Sequence, residues 1–468
     1  MTDVDPRGLD RAALAHFADT RRDAFEAMLE ALVEIPSVSA EPARAADVRR
    51  CGEAAVALIR EHGGEARLVE TAGAPIVLGR LAHDTPRAVV SAYNHLDVQP
   101  ANEPEWRTDP FDLAIDRATG RYVGRGATDD KGPALTALLG ARAAIDAGVP
   151  IDVRFVWELE EEIGSPSFRA ALEAHSADFA TESVVVSDTV WLTAGKPSTP
   201  AGLRGLQSFS LVLRTADHDL HSGLVGGAAR NPLTELAALV GELVDARTGD
   251  VKLPGFADGT IPLADDERAE FISSGFTVEQ WKQDHQLDKV RTEDRVEVME
   301  RIWARPTLEV HGLVGGYQGP GVKSAVPAWG ELKLSCRMVP EMRGGRVLDA
   351  VRRFLAARAP DVELVPHGCL EPFRGLSRGP LADAIRDAYA FGFGQRAALT
   401  REGASIGAVP TMAEVLGVPI TFLGLSLPEH GYHAPNERYD WHQARGGIAA
   451  FAHYFAALAA GVGRTPGG

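Results

Sequence analysis

The run Ala88-Val89-Val90-Ser91-Ala92-Tyr93-Asn94-His95-Leu96-Asp97 decides how this chain reads. Six mostly apolar residues, too few for a helix, lead into groups that can bind a metal or carry a proton. A short apolar run of this kind predicts a strand buried on both faces. The polar groups at its carboxyl end then sit where open α/β sheets place their sites. The pattern recurs twice. Ile151-Asp152-Val153-Arg154-Phe155-Val156-Trp157 runs into Glu158-Leu159-Glu160-Glu161-Glu162, and Val184-Val185-Val186 runs into Ser187-Asp188. Residues 132–147 between them are Ala/Leu-rich and close on Gly148, as a helix does. Buried strands separated by helices predict an α/β fold with a mostly parallel sheet covered by helices.

Upstream, residues 9–34 carry apolar side chains at helical spacing until Ile35-Pro36-Ser37, and a second helix over 44–62 ends at Gly63-Gly64. Downstream, the texture changes after Gly205. Residues 208–214, 307–311 and 331–337 alternate apolar and polar, the signature of antiparallel strands with one face on a core. Helices are expected over 233–246 and 345–357. Residues 253–305 are polar with scattered Trp and Pro, and read as an irregular or helical insertion. From Leu381 the α/β texture returns. The expectation is a discontinuous catalytic domain, residues 1–204 and 372–468, interrupted by a smaller α+β domain over 205–371.

Composition removes several function classes. Across 468 residues, 48 Lys and Arg against 65 Asp and Glu leave a formal charge of −17, the wrong sign for a surface that tracks phosphates. No window approaches twenty uninterrupted apolar residues, so no membrane span is expected; residues 448–463, broken by His453, read as a buried Ala-rich helix. Met1-Thr2-Asp3-Val4-Asp5 is acidic and lacks the apolar core of a secretory signal, and low complexity is confined to the short glycine-rich tail. Cys51, Cys336 and Cys369 are odd in number and far apart, which argues against a disulfide framework or a cysteine metal site. A cytoplasmic protein is expected.

Taken singly, each motif has a plain structural alternative. His95 could bind a metal with Asp97 orienting its ring, or be a hydrogen-bonded structural histidine. Gly124-Arg125-Gly126-Ala127-Thr128-Asp129-Asp130-Lys131-Gly132 lacks the third glycine of a dinucleotide loop and is no Walker motif. Its Asp129 is either a helix N-cap or a ligand. The acidic run at Glu158 follows a strand leaving a core, where self-repulsion calls for a counter-charge. Late in the chain, His430 and His433 fall within Glu429-His430-Gly431-Tyr432-His433-Ala434-Pro435-Asn436-Glu437. Histidines, several carboxylates and no suitable cysteine suit Zn²⁺ or Mn²⁺. Two close cations would make a hydrolytic site, with Glu161, beside a ligand Glu162, as general base. H-E-x-x-H does not occur, which removes the commonest single-zinc reading.

Together, His95-Leu96-Asp97, the Gly124–Gly132 loop, Glu161-Glu162-Ile163-Gly164-Ser165 and Ser187-Asp188 resemble, in order and spacing, the dinuclear-zinc metallopeptidases related to carnosinase and aminoacylase. The likeness is greatest to the branch of carnosinase and cytosolic nonspecific dipeptidase. It extends to Gly202-Leu203-Arg204-Gly205, Asp219-Leu220-His221-Ser222-Gly223, Arg401-Glu402-Gly403-Ala404-Ser405-Ile406 and His433-Ala434-Pro435-Asn436-Glu437. The resemblance implies two divalent ions, Zn²⁺ foremost and Mn²⁺ as the alternative. His95 and Asp188 would hold one, Glu162 and His433 the other, with Asp129 bridging and a cis peptide after it. His433 is preferred to His430 because the x-x-N-E continuation follows it. Asp97 would support His95, and Glu161 would shuttle the proton. Arg337 and Ser405 would hold the substrate's terminal carboxylate. His221 would cross a homodimer interface formed by the 205–371 lid to reach the substrate carbonyl; a solvent loop, or a minor metal site from His218 and His221, is the alternative. The implied activity is dipeptide hydrolysis by metal-activated water. The rival is an N-acyl- or N-carbamoyl-amino-acid amidohydrolase, and the remote rival a non-catalytic binding protein on the same fold.

Overall fold

The structure, a computed structural model, describes residues 8–463. The acidic start at Met1 to Asp5 and the glycine-rich tail fall outside them. The Ala88 run is the strand Ala88–His95, central in a six-stranded sheet ordered Glu65–Val69, Ile76–Ala82, Ile151–Glu158, Ala88–His95, Ser183–Val186, Ile420–Phe422. Only Ile76–Ala82 runs against the others, pairing antiparallel with both its neighbours; the remaining pairings are parallel. Strand side chains alternate between two cores. Val90, Ala92, Val153 and Phe155 face helices Gly132–Asp146 and Trp441–Ala459, while Tyr93, Val156, Val184 and Val186 face Phe168–Ala174 and Ala408–Leu416. Burial on both faces explains why these strands read as unbroken apolar runs. Gly140 lets the first two helices meet closely, since a Cβ there would lie 2.5 Å from the Cβ of Phe451.

The opening helix differs from expectation: it is two, Arg11–Asp19 and Arg22–Val33. Thr20 turns its hydroxyl back onto the carbonyls of His16 and Phe17, both at 3.0 Å, and ends the first. The alternating segments form a separate four-stranded antiparallel sheet, ordered Thr307–Gly315, Trp329–Met338, Gly205–Arg214, Glu363–Leu370. Phe209, Leu211, Leu213, Leu332 and Leu334 form its core with the helices Pro232–Leu243 and Gly344–Arg358. Within the 253–305 insertion lie three helices, Asp265–Ser273, Val278–Asp284 and Arg295–Trp303, gathered around Phe271, Phe276, Met299 and Trp303. Arg401 of the strand Ala398–Glu402 grips this insertion through Glu267, at 2.5 and 2.7 Å. That strand pairs with Ser198–Leu203 in a further three-stranded sheet. Among the described residues, no helix is long and apolar enough to cross a membrane.

Candidate active site

Neighbouring parallel strands deliver the first groups. His95 ends Ala88–His95, Glu161 and Glu162 lie in a short turn beyond Ile151–Glu158, and Asp188 lies just beyond Ser183–Val186. The Glu161–Ile163 turn stops at Gly164, whose φ of 86° suits a residue without a side chain. Asp97, fully buried, fixes that turn. Its two carboxylate oxygens accept the Glu161 and Glu162 N–H groups at 3.1 and 3.0 Å, and the Ser39 hydroxyl at 2.6 Å. The same residue orients His95: Nδ1 is 3.0 Å from the Asp97 carbonyl oxygen and 3.5 Å from its carboxylate. One aspartate therefore aims three site residues.

Asp129 comes from the Ala127–Lys131 turn, and the Asp129-Asp130 peptide is cis. It is not a helix cap: its carboxylate lies between two imidazoles, Oδ1 2.9 Å from His95 Nε2 and Oδ2 3.1 Å from His433 Nε2. His433 Nε2 is also 3.2 Å from Glu162 Oε2, and Asp188 Oδ2 is 3.9 Å from His95 Nε2. Ligand atoms of His95, Asp129 and Glu162 lie mutually within 4.8 Å, as do those of His95, Glu161 and Asp188. Asp130 points elsewhere and accepts from Asn94 Nδ2 at 2.8 Å. His430 stays out of the cluster, engaged with Thr128, the Leu427 N–H and Asp440. His433 sits at φ 55°, a backbone region uncommon for residues other than glycine, in the loop that turns its ring to Asp129.

The electrostatics ask for positive charge. Burial, together with repulsion from Asp129 and Glu162, pushes the Asp188 carboxyl up to about 7. Burial and the neighbouring carboxylates raise Glu161 well above the usual range and raise Glu162 as well. Close contact with the His433 and His95 imidazoles holds Asp129 low against its burial, and Asp129 and Glu162 in turn lift His433 to about 11. Because His95 Nδ1 faces a carbonyl oxygen it carries a proton, so a neutral ring would turn the Nε2 lone pair to the carboxylates of Asp129 and Asp188, which against its burial raise the ring's pKa well above its ordinary value. Acceptors facing acceptors need a proton or a cation between them. Asp129 Oδ2 is buried and accepts no well-aligned hydrogen bond. Imidazole nitrogens and carboxylate oxygens converging this way fit divalent cations.

Beside His433 opens a cleft of about 1000 Å³, lined among others by Tyr432, Trp281, Trp303, Arg204, Arg337 and Glu402. Arg337 Nη1 donates to Ser405 Oγ at 3.2 Å, so these two residues, far apart in sequence, meet at the cleft. His221 does not meet the cluster. It is exposed on Leu220–His221, and its Nδ1 accepts from its own Gly223 N–H at 3.0 Å.

Sequence reading missed several supporting residues. Glu437 is fully buried and accepts from Arg125 Nη1, Gly126 N, Thr128 N and Asp129 N at 2.8, 3.0, 3.0 and 3.1 Å, a cradle that fixes the Asp129 turn. Gln99 donates to Glu162 at 2.8 Å, and the Tyr432 hydroxyl lies 3.4 Å from Asp188. Only Glu437 left a trace, as the acid closing His433-Ala434-Pro435-Asn436-Glu437.

Comparison with known proteins agrees with this geometry. The model of peptidase family M20/M25/M40 matches residues 92–457. The chain is 31% identical to the Cys-Gly metallodipeptidase dug1 of Schizosaccharomyces pombe, over 94% of this chain and 97% of that one. It is 30% identical to the human Beta-Ala-His dipeptidase, over 82% and 78%. Among solved structures, the dipeptidase Dug1p of Saccharomyces cerevisiae superposes with a TM-score of 0.85 at 26% identity, covering 97% of this chain and 99% of that one.

Proposed function

This chain belongs to peptidase family M20/M25/M40, and from that membership we propose that it is a metal-dependent dipeptidase. The observation that carries the reading is the Asp129 carboxylate held between His95 and His433, with Glu162 and Asp188 beside them. In this reading His95, Asp188, Glu162, His433 and Asp129 would together hold two divalent ions; Zn²⁺ suits the donors best and Mn²⁺ next. When bound, such ions lower the pKa of water and polarise a carbonyl.

The chain's own groups do the rest. Glu161 receives no hydrogen bond on its carboxylate among the described residues, and its proton affinity is raised. It is therefore the group to take a proton from the attacking water and return it to the leaving amine. Asp97 keeps Glu161, Glu162 and His95 in place through four contacts. Arg337, oriented by Ser405, pairs with the substrate's terminal carboxylate. His221, exposed and away from its own cluster, donates to the carbonyl oxygen in the partner subunit of a homodimer built through the 205–371 lid. Residues 1–204 and 372–468 form the catalytic domain, and the protein works in the cytoplasm. The test is hydrolysis by metal-analysed protein of a dipeptide panel beside N-acetyl- and N-carbamoyl-amino acids. Turnover confined to the latter would make it an amidohydrolase of the same architecture; no turnover of either by metal-replete protein would make it a binding protein.

A further inference from the structure

Arg204 stands at the junction between the strand Ser198–Leu203 and the antiparallel sheet that begins at Gly205, and it lines the cleft without touching the metal cluster. Three bonds make it a joint. Its Nε donates to the Gly403 carbonyl at 3.2 Å, and its Nη1 to the Arg301 carbonyl at 3.2 Å. Its own carbonyl accepts the Ser405 hydroxyl at 2.6 Å. Arg301 lies in the last turn of helix Arg295–Trp303, where carbonyls lack helical partners and a cation is favoured. Because the Ser405 proton is spent on Arg204, Ser405 Oγ faces Arg337 as an acceptor, and it receives Arg337 Nη1 at 3.2 Å. Among the described residues neither guanidinium forms an ion pair; burial and the nearby Arg337 charge pull the Arg204 pKa down to about 10, against the weaker attraction of Glu402 and Glu309. The two guanidiniums line the cleft together, with Glu402 beside them offsetting part of their charge.

We propose that Arg204 is a positioning residue for carboxylate recognition: it ties the Gly403–Ser405 loop to the insertion helix, and through Ser405 sets the direction of Arg337. This rests on the dipeptidase reading and on Arg337 as the carboxylate's partner. Arg204→Met keeps the backbone carbonyl that Ser405 bonds but removes the side-chain tether to Gly403 and Arg301, so the Gly403–Ser405 loop, and with it the Arg337 fork, loses its fixed direction.

The experiment compares kcat/KM for one dipeptide and its C-terminal amide, on metal-replete wild type, Arg204→Met, Arg337→Met and the double variant. The free-acid over amide ratio is expected to fall about tenfold or more in Arg204→Met, the scale of one misaligned charge-assisted hydrogen bond, with KM for the free acid rising more than kcat falls. The double variant should discriminate no worse than Arg337→Met alone, because Arg204 acts through Arg337. Equal losses on acid and amide, or additive losses in the double variant, overturn the proposal. Should Arg204→Met not fold, Arg204→Lys replaces it, since one ammonium cannot reproduce the planar, two-point hold; wild-type discrimination in the folded Lys protein is equally fatal. A wild type that cleaves acid and amide alike refutes the carboxylate reading and this inference with it. A discriminating wild type beside an equally discriminating Arg204→Met refutes this inference alone.

Discussion

Glu437→Ala tests whether the site is built from behind. The side chain is fully buried, and burial with the nearby Asp129 charge pushes its carboxyl up to about 7 while Arg125 and backbone donors pull against that rise. Truncation strands four donors at once: Arg125 Nη1 and the N–H groups of Gly126, Thr128 and Asp129. Arg125 is 1% exposed, and its other partners are the Pro100 carbonyl at 3.3 Å and Glu103 at 4.0 Å. Removing one member of a buried pair typically costs about 3–5 kcal/mol, most of it the stranded charge. The second consequence is functional. Asp129 loses the anchor on its N–H, and losing a residue that orients a ligand typically weakens metal affinity by about 10–100-fold. Thermal unfolding of metal-free protein reads the first effect without ligand mass action, and chelator competition on metal-loaded protein reads the second. A double variant, Arg125→Leu with Glu437→Leu, separates them: stability should largely return because no charge is stranded, while metal affinity stays low because the backbone donors still lack an acceptor. The reasoning fails if Glu437→Ala unfolds at the wild-type temperature and holds metal within about threefold of wild type, well inside the range expected for such a residue.

The other expectations are shorter. Glu161→Gln should keep its metal and lose about 10²–10⁴ in kcat, the range for a positioned acid–base group; metal loss cured completely by reconstitution would instead make Glu161 a ligand. Amidating the substrate's C-terminus should cost wild type far more than Arg337→Met, and equal costs would remove Arg337 from carboxylate recognition. His221→Ala should be metal-replete and nearly inactive. Subunit exchange with Glu161→Gln should restore about one quarter of wild-type activity per site, since half of a random mixture is heterodimer and each heterodimer has one intact composite site; demonstrated heterodimers without activity would confine His221 to its own chain. In metal-free protein, Asp188 at about 7 and Glu158 at about 8, both raised chiefly by burial, hold protons more tightly than when unfolded. His433 at about 11 does the same through Asp129 and Glu162. All three stabilise the fold below their unfolded pKa values and lose that contribution as pH rises through the folded ones, so Tm should fall between roughly pH 5 and 8. Divalent metal, which replaces those protons, should raise Tm more at pH 8 than at pH 6; a flat metal-free profile would contradict this.

What could be read from the sequence follows from what is local. His95, Glu161, Glu162 and Asp188 announce themselves because a buried strand makes an apolar run and a carboxylate or imidazole directly after it has few other reasons to be there. The alternating strands of the second sheet were legible for the same reason, since one-sided burial writes itself at a period of two. The break at Thr20 was not, because a hydroxyl that bonds back to its own helix looks the same in sequence as one that does not. Nor did anything along the chain connect Glu437 with Asp129, 308 residues away, or Arg204 with Ser405, 201 away. Those partners bond mainly through backbone N–H and C=O groups, which every residue carries and no side-chain pattern marks. The groups that do the chemistry were thus more visible than those that hold them. A ligand set is specified by residue type at strand ends, but the geometry that tunes it is specified by main-chain groups brought together only when the chain has folded.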